Sequence, residues 1–261
     1  MTDKALLVVS FGTSYAQTRE RTIGAIERKL AERFPDREVH RAWTSQFLIK
    51  RVAKAEGVQV ETPEQAMQRL AESGVTDLIV QPTHLSDGYE NQRMLEMVRG
   101  FAGGFEKLAV GRPLLATEED RDFTAQIMSR ICLGRDAEDR ALLLMGHGSE
   151  KHPVPVYRQL QEKIEERGMD NVFVGTVEGE PDFEEAKRRL DSSGYRKVVL
   201  APIMIVAGDH AKNDMAGSGP DSWKSRLKAA GYGTEVMMTG LGEHEPIQEM
   251  FVRHAAEAER I

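Results

Sequence analysis

Three side chains in the second half of this sequence have the types and the settings of metal ligands: His147, Glu178 and His210. His147 stands between Gly146 and Gly148, just past an apolar run that ends at Met145. Glu178 follows the run Val172 to Thr176, and His210 follows Lys197 to Ile203 after the turn Val206-Ala207-Gly208-Asp209. Each run reads as a buried strand, and ligands of open α/β sheets bind beyond the carboxyl ends of their strands. Two imidazoles and a carboxylate suit a borderline divalent ion with coordination positions left open. Read from residue types alone, other roles stay open. A histidine in a Gly-His-Gly loop serves equally as a helix cap, Glu180 offers a second carboxylate beside Glu178, and the separations form no spacing signature. His84 and Glu90 follow a first-half strand ending at Pro82, which would place them on the same rim of the cleft. His40, His152, His244 and His254 read as surface or packing residues.

Other chemistries fit less well. Cys132 is the only cysteine, so there is no internal disulfide, no CxxC pair and no thiolate cluster. The loop Ser10-Phe11-Gly12-Thr13-Ser14 is rich in hydroxyls but lacks the lysine of a P-loop and the glycines of a dinucleotide site, so no nucleotide is expected. Gly146-His147-Gly148-Ser149 does not put its serine in GxSxG. Met145, Met204, Met215, Met237 and Met238 read as core filler.

The elements that must position these residues alternate along the chain. Strands are expected at Ala5 to Ser10, Val39 to Trp43, Asp77 to Pro82 and Lys107 to Val110, with helices at Ile23 to Phe34, Pro63 to Leu70 and Tyr89 to Phe101. The plan then repeats. Strands at Ala141 to Met145, Val172 to Thr176, Lys197 to Ile203 and Glu235 to Met238 alternate with helices at Tyr157 to Glu166, Phe183 to Leu190 and Ser222 to Ala229, before a last helix from Pro246 to Glu259. Such alternation implies βαβ units and parallel sheets. Ala5-Leu6-Leu7 followed by Gly12 aligns with Ala141-Leu142-Leu143 followed by Gly148, and Gln81-Pro82-Thr83 corresponds to Ala201-Pro202-Ile203. The expected fold is α/β: two similar doubly wound domains with an active-site cleft between them. Residues 1–115 form the first, residues 116–245 form the second and carry the ligands, and the helix in 246–261 packs back on the first.

With 261 residues, 40% of them hydrophobic, the chain has material for sizeable cores. A net charge of −7 argues against nucleic acid or an anionic membrane as the main partner. No apolar run approaches the roughly 20 residues that span a bilayer. The first residues lack the pattern of a secretory signal, so a cytoplasmic location is expected.

At these residues the sequence resembles the anaerobic cobalt chelatases of the CbiK type. The resemblance is carried by Ala5 to Ser14, Met145-Gly146-His147-Gly148, Val177-Glu178, Pro202 to Met215, Asp221-Ser222-Trp223-Lys224 and Gly240-Leu241-Gly242-Glu243, and it spans nearly the whole chain. It implies an ATP-independent class II chelatase that inserts Co2+ into sirohydrochlorin, a polycarboxylate tetrapyrrole, and releases two pyrrole protons. By position, His147, Glu178 and His210 match the family's metal-binding residues. The histidines would serve as both ligands and bases, and Glu178 would offset the cation's charge and relay protons. Ser10, Phe11, Gly12, Thr13, Ser14 and Glu90 are expected to bind the substrate, with Thr44, Ser45, Lys50 and Arg51 as further candidates. The resemblance also implies a homo-oligomer. Fe2+ or Ni2+ as the metal, another tetrapyrrole, and a carrier that binds without turnover are the alternatives.

Overall fold

The computed structural model describes residues 3–134 and 137–261. They fall into two compact units, one built from residues up to 116 with 242–261 and the other from 117–241.

The first unit opens with strand β1 (Lys4–Ser10), then helices α1 (Ala16–Arg21) and α2 (Ile23–Arg33), strand β2 (Glu38–Trp43), and helices α3 (Gln46–Glu56) and α4 (Pro63–Glu72). Strand β3 (Asp77–Pro82), helix α5 (Tyr89–Arg99) and strand β4 (Lys107–Val110) follow. The second unit comprises α6 (Glu118–Leu133), β5 (Ala141–Gly148), α7 (Val156–Glu166), β6 (Val172–Glu178), α8 (Phe183–Ser193), β7 (Lys197–Pro202), α9 (Trp223–Ala229) and β8 (Gly233–Val236). The chain then returns to the first unit as α10 (Glu245–Ala256) and the short strand β9 (Glu259–Arg260).

Each unit is organised around one strand without polar side chains in its middle. Ala5 to Val9 and Ala141 to Met145 are fully buried, because helices cover both faces of a parallel sheet. In the first unit the order is β2-β1-β3-β4-β9; in the second it is β6-β5-β7-β8. Pairing is parallel throughout except for β9, which runs antiparallel to β4. The aligned sequence segments hold equivalent places. Val9 pairs with Pro82 and Met145 with Pro202, and the N–H of the next residue, Thr83 or Ile203, donates to the carbonyl of Val9 or Met145. The two units thus share one plan, a doubly wound parallel sheet.

Several elements differ from expectation. Helices α1, α3 and α6 were not expected. The strand β5 continues through His147 to Gly148, and β6 continues to Glu178. β8 begins at Gly233, earlier than the expected Glu235. The final helix stops at Ala256, which leaves room for β9. His254 is fully buried in that helix.

Candidate functional site

The carboxyl edge of the second sheet gathers the three predicted ligands on adjoining strands and loops. Because β5 extends past Met145, Gly148 pairs with Glu178 on β6, which puts His147 one residue from that register. The glycines on either side of His147 are demanded by space. A Cβ on Gly146 would sit 2.2 Å from the Tyr157 ring, and one on Gly148 would sit 1.7 Å from the Glu178 carbonyl oxygen. Gly148 also has φ +73°, which L side chains rarely adopt. The room made by Gly146 lets the His147 N–H donate to the Tyr157 hydroxyl at 3.2 Å. Tyr157 is buried, and burial pushes its phenol above the ordinary value, so it stays neutral and serves as a fixed acceptor.

The two imidazoles meet edge to face, with ring centroids 4.6 Å apart and an interplanar angle of 86°. Each has its Nδ1 engaged. Nδ1 of His147 lies 2.8 Å from the Gly148 carbonyl oxygen, and Nδ1 of His210 lies 2.7 Å from Oδ2 of Asp214. Both partners are acceptors, so both Nδ1 atoms carry the proton and donate, and both Nε2 atoms present lone pairs. Fixing one ring nitrogen in this way orients the other as a ligand or base. The Asp214 partnership depends on local backbone: His210 caps a short π-helical segment, Ala211–Met215, with Asp214 four residues on. π-turns of this kind recur at functional sites.

Glu178 lies exposed at the end of β6. The loop after it is tied down by Thr176, whose N–H and hydroxyl both donate to the Pro181 carbonyl, at 2.7 and 3.0 Å. Glu180, the competing carboxylate, is paired with Arg158 at 3.0 Å. Glu178 has no ion pair or side-chain hydrogen bond among the described residues. Of the two acids, Glu178 is therefore the one free to meet a cation. The histidines come together while the carboxylate stands apart: among the described residues, no group of three or more His, Cys, Asp or Glu side chains is gathered as a metal cluster.

The residues expected to bind substrate lie at the corresponding edge of the first sheet. Ser10 is buried and its hydroxyl accepts a hydrogen bond from the Thr83 hydroxyl at 2.8 Å. Thr13 is also buried, whereas Phe11 is 51% exposed and Ser14 half-buried. Gly12, with φ +100°, has no room for a side chain, since a Cβ would lie 2.7 Å from the Trp43 ring. Glu90 is half-buried in the first turn of α5. His84 is buried, with Nδ1 3.3 Å from Oδ1 of Asn91, whose amide donates to Asp87 at 2.8 Å. Sequence reading missed Asp214 and Tyr157. An acid four residues after a histidine was the available signal for the first; the second, ten residues from His147, left none.

A family model described as "Cobalt chelatase (CbiK)" matches residues 4–260. The chain is 38% identical over 255 residues to the sirohydrochlorin cobaltochelatase of Salmonella typhimurium, covering 98% of this chain and 96% of the relative. It is 31% identical over 261 residues to the sirohydrochlorin cobaltochelatase CbiKC of Nitratidesulfovibrio vulgaris, covering 99% and 91%. Among solved structures, that of SirB from Bacillus subtilis with Fe3+ is similar in fold, with a TM-score of 0.68 at 15% identity over 97% of this chain and 94% of that one.

Proposed function

The chain belongs to the cobalt chelatase (CbiK) family, and from that premise we propose that it inserts Co2+ into sirohydrochlorin and releases two protons. The observation that carries the site assignment is the imidazole pair. His147 and His210 stand 4.6 Å apart with both Nδ1 protons held by acceptors and both Nε2 lone pairs available.

The chemistry follows from those two lone pairs. An incoming Co2+, the substrate metal, must exchange waters for pyrrole nitrogens stepwise, so a small ligand set that leaves positions open is preferable to a closed cage. His147 and His210 hold the ion through Nε2, and Glu178, the unpaired carboxylate at the end of the adjoining strand, offsets its charge from farther off. As the metal passes to the macrocycle, two N–H bonds break and the nitrogens bind the metal. The imidazoles lose their ligand role at that moment and become acceptors for those protons through the same Nε2 lone pairs. Asp214 stabilises the imidazolium formed on His210. Separation of Glu178 from the histidines fits a weak holding site better than a storage site. Ser14, Phe11, the backbone around Gly12, and Glu90 are the assigned substrate contacts in the first unit. Ser10 and Thr13, also assigned to the substrate from the sequence, act through the loop's shape, since both are buried.

The test is anaerobic absorbance of the protein with excess sirohydrochlorin and Co2+, beside His147→Ala and His210→Ala. The expected result is many turnovers for the wild type and loss of turnover in both variants. Saturation at one equivalent would instead identify a carrier.

A further inference from the structure

Helix α3 is fastened to its unit along one side only. Val52 is its one buried residue, and Glu56 at its far end is paired with Arg19 at 2.5 Å. The Arg19 guanidinium in turn lies 5.8 Å from the centre of the Trp43 ring. At about 100° per residue, Phe47, Lys50, Arg51 and Lys54 fall within an arc of about 100° on the side opposite Val52 and Glu56. All four are exposed, and Phe47, at 69%, is the most exposed large hydrophobic side chain among the described residues.

This stripe gathers three exposed cations and an exposed aromatic ring on one side of a single helix. Several half-buried helix cations are matched, Lys187 with Asp191 on α8, Arg189 with Glu185, and Lys29 with Glu245 and Glu249 on α10. Lys50, Arg51 and Lys54 have no ion pair or hydrogen bond among the described residues, although the chain carries a net charge of −7. Like charges at this spacing work against the helix, so the stripe has no evident structural use. Its place is informative as well. The Ser45 N–H, at the start of α3, donates to the Phe11 carbonyl at 3.3 Å. Phe47, two residues on, therefore starts from the carboxyl edge of the first sheet, and the cations run away from it for about 10 Å, seven residues at 1.5 Å each.

We infer that this face of α3 binds the polycarboxylate tetrapyrrole, with Phe47 against the apolar macrocycle and Lys50, Arg51 and Lys54 on its peripheral carboxylates. The inference rests on the proposed function for the identity of the ligand. Charge complementarity selects this occupant: a flat apolar ring bordered by carboxylates needs an aromatic contact next to several unpaired cations. Lys50 and Arg51 thereby gain a definite role, and Phe47 and Lys54 join them.

The experiment compares the full-length wild type with the triple variant Lys50→Gln, Arg51→Gln, Lys54→Gln and with Phe47→Ala, after thermal melts establish that all are folded. The triple variant is expected to raise KM for sirohydrochlorin by about tenfold or more at low salt, leaving KM for Co2+ unchanged. Added NaCl should raise the wild-type KM towards that of the variant. Phe47→Ala should raise KM while preserving the salt dependence. A triple variant within twofold of the wild type at low salt, in the presence of wild-type turnover, overturns the inference and leaves the chelatase reading intact. If the wild type shows no turnover, metal-free titration with sirohydrochlorin decides separately: weaker binding by the triple variant upholds the inference, and equal binding or none overturns it. Wild-type binding to RNA or to phosphatidylserine vesicles that the triple variant lacks, with KM unchanged, also overturns it.

Discussion

A histidine in the proposed site is only as useful as the group behind it. Asp214 accepts the Nδ1 proton of His210 at 2.7 Å, whereas His147 is served by a backbone carbonyl that no substitution removes. Asp214→Ala should therefore lower kcat/KM for Co2+ by about 10- to 100-fold, with Asp214→Asn milder because its amide oxygen still accepts the proton. Initial rates across a Co2+ series check this; an Asp214→Ala enzyme with wild-type rates would mean that His210 needs no such support. His84 presents the opposite case. It is buried with its Nδ1 on Asn91, and its Nε2 has no partner among the described residues. Burial holds its pKa below the ordinary 6.5. The unfolded chain then takes up a proton near pH 6.5 that the folded chain refuses, so stability is full above that pH and declines as pH falls below it. Replacing His84 by Gln should flatten the dependence of Tm on pH between about 7.5 and 5. An unchanged slope would show that another group carries it.

Among the elements, the extension of β5 by His147 and Gly148 does most to shape the site. It succeeds because Gly148 lets the two strand ends close on each other. Gly148→Ala should unfold at markedly lower urea than the wild type and lose activity, since both the clash and the positive φ act on it. Gly194→Ala, also at positive φ but with open space around it, should lose only about 1–2 kcal/mol. Equal losses in urea titrations would mean that dihedral strain, and not the contact with Glu178, limits this strand end. The same strand shows what was legible in the sequence. Its apolar run was plain, because a strand buried on both faces needs an unbroken one, but its last residues were not, since Gly-His-Gly reads as loop. Helix α3 escaped notice because burying Val52 alone leaves no periodic apolar face. Helix α6, although it starts with a capping box at Thr117 and Asp120, mixes polar Thr124 and Asp120 into its buried side, which blurs the period.

At the scale of the whole molecule, the repeat of Ala-Leu-Leu and of the strand-ending proline was the most informative sequence feature, because register converts a one-residue slip into exchanged faces. Val9 with Pro82 and Met145 with Pro202 keep that register in both units. What the repeat could not disclose was the return of the chain end. Beyond α10 the residues Glu259–Arg260 add an antiparallel edge to β4, a pairing too short to leave a pattern. The first unit draws Ile247, Met250 and Phe251 of α10 into its buried interior. A chain ended after Leu241 should thus lose amide-exchange protection in β1 to β4 while β5 to β8 retain theirs. Equal loss across both sheets would show that the two units unfold together. The register correspondence also means that the two halves need not carry the same side chain at the same place. In matching positions one copy bears Phe11 and the other His147. A half-length chain pairing with its own copy would present the same side chain at both ends, so neither could change without the other. One chain carrying both halves is free of that constraint: each position is encoded separately, so one half can hold an imidazole where the other holds a phenyl ring.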